Sequence, residues 1–146
     1  MFCLLKELII TFITAGGIEM EFENNAYFWQ KLDTLYLSSD LVIDRPKGTC
    51  HPFYSNLVYP VNYGYLKDPK DDEHIDCYRG SKNENSVNAM VVCADILNKD
   101  IEVKLLVGCT DQEEMDILGF LNQTDFQKSV IIRRGSAIPD WGNTSN

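Results

Sequence analysis

The stretch 70–80, KDDEHIDCYRG, concentrates side chains that can bind hard cations. Its four carboxylates fall within six positions before the chain turns apolar, and they belong to Asp71, Asp72, Glu73 and Asp76. Crowded carboxylates repel one another unless a cation lies among them, so an ordered cluster of this kind indicates a site for a metal such as Mg²⁺. A solvated acidic loop is the more common explanation of such a run. Features elsewhere in the chain are needed to distinguish the two.

Three basic residues outside this stretch could complement an acidic site that binds phosphate. Arg45 ends a predicted strand, Lys31 lies on a predicted helix, and Lys104 shares one face of a predicted strand with Glu102. Arg and Lys together with Mg²⁺ form the usual clamp on phosphoryl groups. Each cation also has a structural explanation, because Arg45 can pair with a neighbouring aspartate, Lys31 can be a helix-surface charge, and Lys104 can pair with Glu102.

The elements that must position these residues are predicted from hydrophobic periodicity and turn residues. The sequence predicts a helix over 25–37, the start of a strand at 75–78, and strands over 40–44, 86–97, 101–108 and 129–134. The strands 86–97 and 101–108 flank a short NKD segment and are expected to pair as a β-hairpin. The stretch 45–66 contains three prolines and two glycines, which predicts a long ordered loop.

The stretch TDQEEMDILGFLN predicts a second helix. Thr110 is the expected N-cap, and Glu113 three residues later completes a capping box. Met115, Leu118 and Leu121 are predicted to face the core. Together the strands, the two helices and the long loop predict a mainly β domain of the α+β class, either a small barrel or a strongly twisted sheet with helices packed against it.

The length of 146 residues suits one domain with a hydrophobic core. We predict this domain over 25–134, after an N-terminal extension at 1–24 of doubtful status and before a flexible tail at 135–146. The extension is apolar but is interrupted by Lys6 and Glu7, lacks a basic start, and is too short for a transmembrane helix. A natural start at Met20 is an alternative explanation.

Charge and cysteine content argue against several classes of function. A net charge of -9 opposes binding to a nucleic-acid backbone, although a small phosphate ligand is compatible if metal ions accompany it. Five scattered cysteines without a C-x-x-C pair, and only two histidines, give little support for zinc. A reducing, cytoplasmic location without a membrane partner is favoured. A monomer and a homo-oligomer are both compatible with the sequence.

The order and spacing of these motifs resemble those of the soluble, metal-dependent inorganic pyrophosphatases. In that family a D-R strand end leads to N-Y-G-[FY], then to an acidic D-G-D-P-x-D loop, and then to a hairpin with D-x-K. The corresponding residues here are Asp44-Arg45, Asn62 to Tyr65, Asp71 to Asp76, and Glu102 to Lys104. An upstream K-x-E falls on Lys31 and Asp33, so the resemblance covers roughly residues 30–108.

The resemblance implies an OB-like five-stranded barrel with flanking helices, and Mg²⁺-dependent hydrolysis of pyrophosphate to two phosphates. The implied Mg²⁺ ligands are Asp71, Glu73, Asp76 and Glu102. The implied substrate-binding residues are Lys31, Arg45, Tyr63 and Lys104. The implied catalytic residues are Asp76, Glu73 and Tyr63, where a water activated by the metal would attack phosphorus.

The sequence departs from the family pattern at several positions. In the acidic motif, Asp72, Glu73 and His74 stand where the family has glycine, aspartate and proline. A further metal-binding aspartate of the family aligns with Leu97, and a C-terminal Tyr-Lys pair aligns with Gln123-Thr124. Fewer ligands indicate fewer bound metals than in the family.

Two further hypotheses therefore stand beside hydrolysis. The first is a catalytically impaired relative that binds a metal-phosphate or nucleotide ligand without turnover. The second is an oligonucleotide-binding module, since OB folds often bind single strands through stacked aromatic residues. Tyr54, Tyr59, Tyr63 and Tyr65 could stack on bases, but the net charge of -9 opposes this hypothesis.

Overall fold

The structure is a computed structural model that describes residues 24–67 and 74–135. These ranges contain the helices α1 (Ala26–Leu37) and α2 (Asp111–Leu121). The strands are β1 (Asp40–Arg45), β2 (Asn62–Lys67), β3 (Ile75–Arg79), β4 (Val87–Asp95), β5 (Asp100–Val107) and β6 (Gln127–Arg133). Neither helix in the described ranges is long and apolar enough to cross a membrane. The predicted extension and the predicted tail lie outside these ranges, apart from Asn24 and Gly135.

The six strands form one mixed sheet in the order β1-β2-β3-β5-β4-β6. Strands β3 and β5 are parallel, and the other neighbouring strands are antiparallel. The β4–β5 pairing confirms the predicted hairpin. The domain is thus mainly β, with two helices. The predicted count of five strands is wrong, and in the described ranges the sheet is not closed into a barrel, because β1 and β6 are its edges.

The prediction of a long loop over 45–66 is wrong at its C-terminal end. Residues Asn62–Lys67 form the strand β2, which lies between β1 and β3. The proline and glycine content suggested an irregular chain as far as Leu66. Gly64 instead lies in the middle of the strand, where a Cβ atom would come within 1.8 Å of the carbonyl oxygen of Val42. This glycine therefore permits a close approach of β1 to β2 rather than breaking the strand.

The two faces of the sheet carry separate hydrophobic clusters. Successive side chains of a strand point to opposite faces, and neighbouring residues of β5 belong to different clusters. Leu105 lies in the cluster that contains Trp29 of α1. Leu106 lies in the cluster that contains Ile117 and Leu121 of α2. Each helix thus covers a different face, and the residues on the α2 face line the cavity described below.

Asp33 ties α1 to the sheet. Its carboxylate accepts two hydrogen bonds of 2.9 Å from the guanidinium NH₂ groups of Arg134. It also accepts a hydrogen bond of 2.8 Å from the backbone N–H of Val87. Burial opposes the charged form, but the hydrogen bonds from Arg134 and Val87 outweigh it and lower the pKa of Asp33. The residue that aligns with a family glutamate thus has a structural role in this chain.

The capping box of α2 is confirmed, since the side chains and backbones of Thr110 and Glu113 exchange hydrogen bonds. The predicted inward position of Met115 is wrong, because its side chain is 63% exposed. Ile117 is fully buried instead, together with Glu114, whose carboxylate pairs with Arg133 Nε at 3.0 Å. The inward face of α2 therefore includes Glu114 in place of Met115. The ion pair with Arg133 of β6 offsets the free-energy cost of burying this carboxylate.

We expect Ile117→Ala to lower the free energy of unfolding by about 2–5 kcal/mol, because the truncation leaves a cavity in a packed cluster. The matched variant Met115→Ala on the same helix should change it by less than about 0.5 kcal/mol. Urea denaturation followed by circular dichroism measures both values. Equal losses in the two variants would contradict the helix orientation described here.

Candidate functional site

A cavity of about 490 Å³ lies on the α2 face of the sheet. Part of its lining is polar and forms a charged cluster, which we define as Arg45, Tyr63, Asp76, Glu102 and Lys104. A second part forms an aromatic cluster, which we define as His51, Phe53, Tyr54, Tyr59, Phe120 and Phe126. These residues come from distant parts of the sequence, so the sheet and its connections are what bring them together.

Strand register explains how the charged cluster forms. Asp76 of β3 lies directly beside Lys104 of β5 in the parallel pair. Glu102 precedes Lys104 by two positions and therefore shares its face, as the alternation of the strand predicted. Tyr65 of β2 lies opposite Asp76, which places Tyr63, two residues away, on the same face. Three strands thus contribute neighbouring polar side chains to one wall of the cavity.

The ammonium group of Lys104 is the centre of this cluster. It donates to Tyr63 Oη at 2.9 Å, to Asp76 Oδ2 at 2.9 Å and to Glu102 Oε2 at 3.1 Å. An ammonium has three protons, so all of its donor capacity is used. The residue is only 7% exposed. Burial disfavours the charged form, but Tyr63 and Asp76 outweigh that effect and raise the pKa of Lys104, so it remains a cation at neutral pH.

The hydroxyl of Tyr63 is held in its neutral form. Burial raises the pKa of Tyr63, and the neighbouring Lys104 only partly offsets that effect. The same hydroxyl accepts a hydrogen bond from Lys104 and interacts with the Asp76 carboxylate. A neutral hydroxyl can donate a proton or a hydrogen bond, so Tyr63 is a donor group in this site and not a base.

Arg45 faces the same cavity but has a different set of contacts. Its Nη1 donates to the hydroxyl of Tyr59, and its guanidinium carbon lies 5.5 Å and 5.9 Å from the ring centres of Tyr59 and Tyr63. These distances are those of cation–π interactions. Within the described ranges no carboxylate lies at ion-pair distance from Arg45. Its remaining N–H groups are therefore free to bind an anion.

Other residues of the predicted site are not brought to the cavity. Lys31 is exposed on α1, whose buried side chains pack on the opposite face of the sheet, and it is absent from the cavity lining. Asp71 and Glu73 lie outside the described residues. The structure thus brings together Arg45, Tyr63, Asp76, Glu102 and Lys104 out of the residues implied by the resemblance.

The hairpin between β4 and β5 adds further residues to the lining. Leu97, at the position where the family has a metal-binding aspartate, lines the cavity between two carboxylates, Asp95 and Asp100. The Asp95 carboxylate accepts the backbone N–H groups of Leu97 at 2.9 Å and of Asn98 at 3.1 Å. Asp95 therefore stabilises the turn, and these hydrogen bonds lower its pKa.

The two described carboxylates of the implied metal site fit a hard cation in ligand type. Asp76 and Glu102 both face the cavity, and Mg²⁺ usually binds one or two protein carboxylates together with water and substrate phosphate. Both carboxylates already accept a hydrogen bond from Lys104, so a cation would share them with that ammonium. In the described part of the chain, no three His, Cys, Asp or Glu side chains are grouped for metal binding.

A thiol also lines the cavity. Burial raises the pKa of Cys93, which keeps the sulfur in its protonated form at neutral pH. The thiolate is the nucleophilic form of cysteine, so the position of Cys93 does not indicate nucleophilic catalysis by this residue.

The aromatic cluster was only partly visible in the sequence. The sequence indicates Tyr54 and Tyr59 as rings that could stack, whereas it gives no indication that His51, Phe53, Phe120 and Phe126 belong to the site. The density of rings in the proline-containing segment was the available signal. Phe120 and Phe126 lie more than 50 positions beyond that segment in the sequence, and no local pattern connects them to it.

His51 is held neutral in this cluster. Burial lowers the pKa of His51, and the positive charge of Arg45 lowers it further. Its Nδ1 atom also accepts the backbone N–H of Phe53 at 3.1 Å, and only an unprotonated nitrogen can accept that bond. The imidazole is therefore an uncharged ring in the cavity lining at neutral pH.

A scan against protein-family models finds no match for this chain, and a search of curated proteins finds no significant match. The resemblance noted in the sequence therefore depends on motif order and on the residues that the structure brings together.

We expect the pKa of His51 to lie below about 6.5, the ordinary value for histidine. The unfolded chain then binds more protons than the folded one just below that pH, so stability should fall as the pH decreases from about 6.5 towards the pKa of the folded state. NMR titration of the ring protons measures the pKa. Arg45→Gln should raise it by removing a neighbouring charge, whereas Lys47→Gln should not. A wild-type pKa above 6.5 would contradict this environment.

Proposed function

We propose that the protein hydrolyses inorganic pyrophosphate, or a related small phosphoanhydride, in a Mg²⁺-dependent reaction. The oxygen of a water attacks one phosphorus atom, and the bond from that phosphorus to the bridging oxygen breaks. The bond electrons remain on the bridging oxygen, which leaves as part of the second phosphate. The attacking water loses one proton to the Asp76 carboxylate, and the departing phosphate takes up one proton from solvent.

The observation that carries this proposal is the convergence of two cations, two carboxylates and a tyrosine hydroxyl on one cavity. All five positions follow the motif order of the pyrophosphatase family. Arg45 supports the proposal most directly, because its guanidinium faces the cavity without a carboxylate partner in the described ranges. A guanidinium presents N–H groups in a planar fork that matches the oxygens of a phosphoryl group.

In this proposal some residues of the charged cluster bind the substrate and others transfer protons. Arg45 binds the phosphoryl oxygens, whereas Lys104, whose three protons are held by protein groups, neutralises part of their negative charge without direct contact. On substrate binding the Tyr63 hydroxyl moves its hydrogen bond from Asp76 to the substrate, and Asp76 orients the attacking water and accepts its proton. Asp76 and Glu102, with Asp71 and Glu73, would hold Mg²⁺. When bound, Mg²⁺ lowers the pKa of water and offsets the negative charge of the protein towards a polyanionic substrate.

Membership of the pyrophosphatase family and a cytoplasmic location are part of this proposal, although the described strands form an open sheet rather than the OB-like barrel of that family. The mixed sheet with two helices is compatible with it at the level of fold class. The supporting observation is the register of β3 and β5, because it joins the last aspartate of the acidic motif to the lysine of the hairpin motif.

A second candidate function is the binding of a metal-phosphate or nucleotide ligand without turnover. The observation that favours it is the set of hydrogen bonds that Lys104 makes. Its ammonium already donates to both Asp76 and Glu102. Carboxylates held by a lysine are poorer ligands for a cation. Under this alternative, calorimetry would detect Mg²⁺-dependent pyrophosphate binding, while no phosphate would be released.

The test is phosphate release from pyrophosphate by the wild type, with Mg²⁺ and with EDTA. We expect multiple turnovers with Mg²⁺ and none with the chelator. Arg45→Gln should lower kcat/KM by about 10²–10³-fold, because it removes one group that stabilises charge in the transition state. Asp76→Asn should lower kcat by a similar factor.

Two exposed residues outside the cavity lining provide matched controls. Lys47→Gln removes a cation two positions from Arg45, and Asp116→Asn removes a carboxylate on α2. Both variants should retain wild-type activity. Absence of phosphate release from folded wild-type protein would overturn the hydrolytic proposal, and calorimetry would then decide whether the binding alternative holds.

A further inference from the structure

Hydrolysis of pyrophosphate gives no role to the exposed rings of the aromatic cluster, which belong to Phe53 and Tyr54. Pyrophosphate is small and polar on every side, and the charged cluster alone supplies the groups that it needs. The cavity of about 490 Å³ falls within the range of roughly 300–1,000 Å³ that is typical of sites for much larger ligands. A ligand that fills the cavity should therefore have an apolar or aromatic part as well as a phosphate part.

The rings form a continuous path away from the charged cluster. Tyr63 stacks on Tyr59 at 5.4 Å between ring centres, and Tyr59 stacks in turn with His51 at 6.4 Å. His51 contacts Tyr54 at 5.2 Å and Phe53 at 6.0 Å. Tyr59 connects the two clusters, because its hydroxyl binds Arg45 while its ring belongs to the aromatic path.

The far end of this path presents unpaired aromatic surface. The side chains of Phe53 and Tyr54 are 85% and 42% exposed, although both line the cavity. Adjacent exposed apolar side chains that line a cavity are typical of a ligand-binding groove. Tyr54 also contacts Phe126 at 6.2 Å, so the residue just before β6 adds a ring to this end of the path.

The segment that carries these rings is held in place before any ligand arrives. His51 N donates to Leu57 O at 2.8 Å, and Tyr59 N donates to Thr49 O at 2.9 Å. Gly48 permits the turn at the start of the segment, since it adopts a φ of +88°. An ordered segment loses little conformational entropy when a ligand stacks on it, which favours binding.

We propose that the natural ligand of this cavity is a nucleoside diphosphate, whose two phosphates bind at the charged cluster and whose base stacks on the exposed rings of Phe53 and Tyr54. This inference rests on the proposed function, because it uses the same phosphate-binding residues. Bases stack on aromatic side chains whatever their sequence context, and each stacked base contributes about 1–3 kcal/mol. The neutral His51 adds a flat, uncharged ring beside them.

A single nucleotide satisfies both clusters, whereas a longer nucleic acid does not. The charged cluster contains two cations, and no basic groove follows it in the cavity lining, which also contains Asp95 and Asp100. A backbone of many phosphates needs many neutralising cations. The charge of two phosphates, in contrast, can be neutralised by Arg45, Lys104 and one metal ion.

The test compares two ligands that cannot be hydrolysed, α,β-methylene-ADP and methylenediphosphonate, by calorimetry with Mg²⁺. They share the two phosphorus groups and differ by the nucleoside. We expect the wild type to bind α,β-methylene-ADP more tightly. Phe53→Ala should weaken that binding by about 5- to 140-fold, which corresponds to the stacking of one base. The same variant should leave the affinity for methylenediphosphonate unchanged.

Phe28→Ala is the matched control, since Phe28 is an exposed aromatic residue on α1 outside the cavity lining. Its removal should leave both affinities unchanged. Equal affinities of the wild type for the two ligands, or equal losses in the Phe53 and Phe28 variants, would overturn the nucleotide inference while pyrophosphate hydrolysis could still be observed. If neither ligand binds and no phosphate is released, the proposed function fails as well.

Discussion

The buried ammonium of Lys104 is the interaction on which the cavity depends. It joins three strands, because its partners are Asp76 on β3, Tyr63 on β2 and Glu102 on its own strand. Removing an ammonium from water costs several kcal/mol, and only close, well-directed hydrogen bonds offset that penalty. The parallel register of β3 and β5 supplies them by placing Asp76 beside Lys104. The same contact that makes burial of the lysine possible also sets the positions of the polar groups that face the cavity.

This arrangement ties the candidate chemistry to the stability of the sheet. Lys104 uses its three protons on protein groups, so it contributes positive charge to the cavity without being free to move towards a ligand. Arg45 differs, because it is positioned by a tyrosine hydroxyl and by aromatic rings, and no other described residue is bonded to the rest of its N–H groups. One cation is therefore structural and electrostatic, and the other is suited to direct contact with an anion.

Tyr59 connects the charged part of the cavity to its aromatic part. The residue is buried and belongs to the hydrophobic cluster under α2, yet its hydroxyl binds Arg45. The aromatic path that begins there ends in exposed rings of an ordered segment. A ligand with one charged part and one aromatic part would match the two ends of this cavity, whereas a phosphate group alone would match only one. The size and shape of a ligand therefore matter as much as its charge for its fit to this cavity.

The sequence by itself determined the helices, the β4–β5 hairpin, the capping box of α2 and the shared face of Glu102 and Lys104, because each depends on residues within a few positions. The tertiary structure alone decided that Gly64 lies inside a strand and that Glu114 is buried in place of Met115. It also decided that Asp33 anchors α1 and that distant rings meet beside Arg45. These features depend on partners that lie far along the chain, and local periodicity carries no information about such partners.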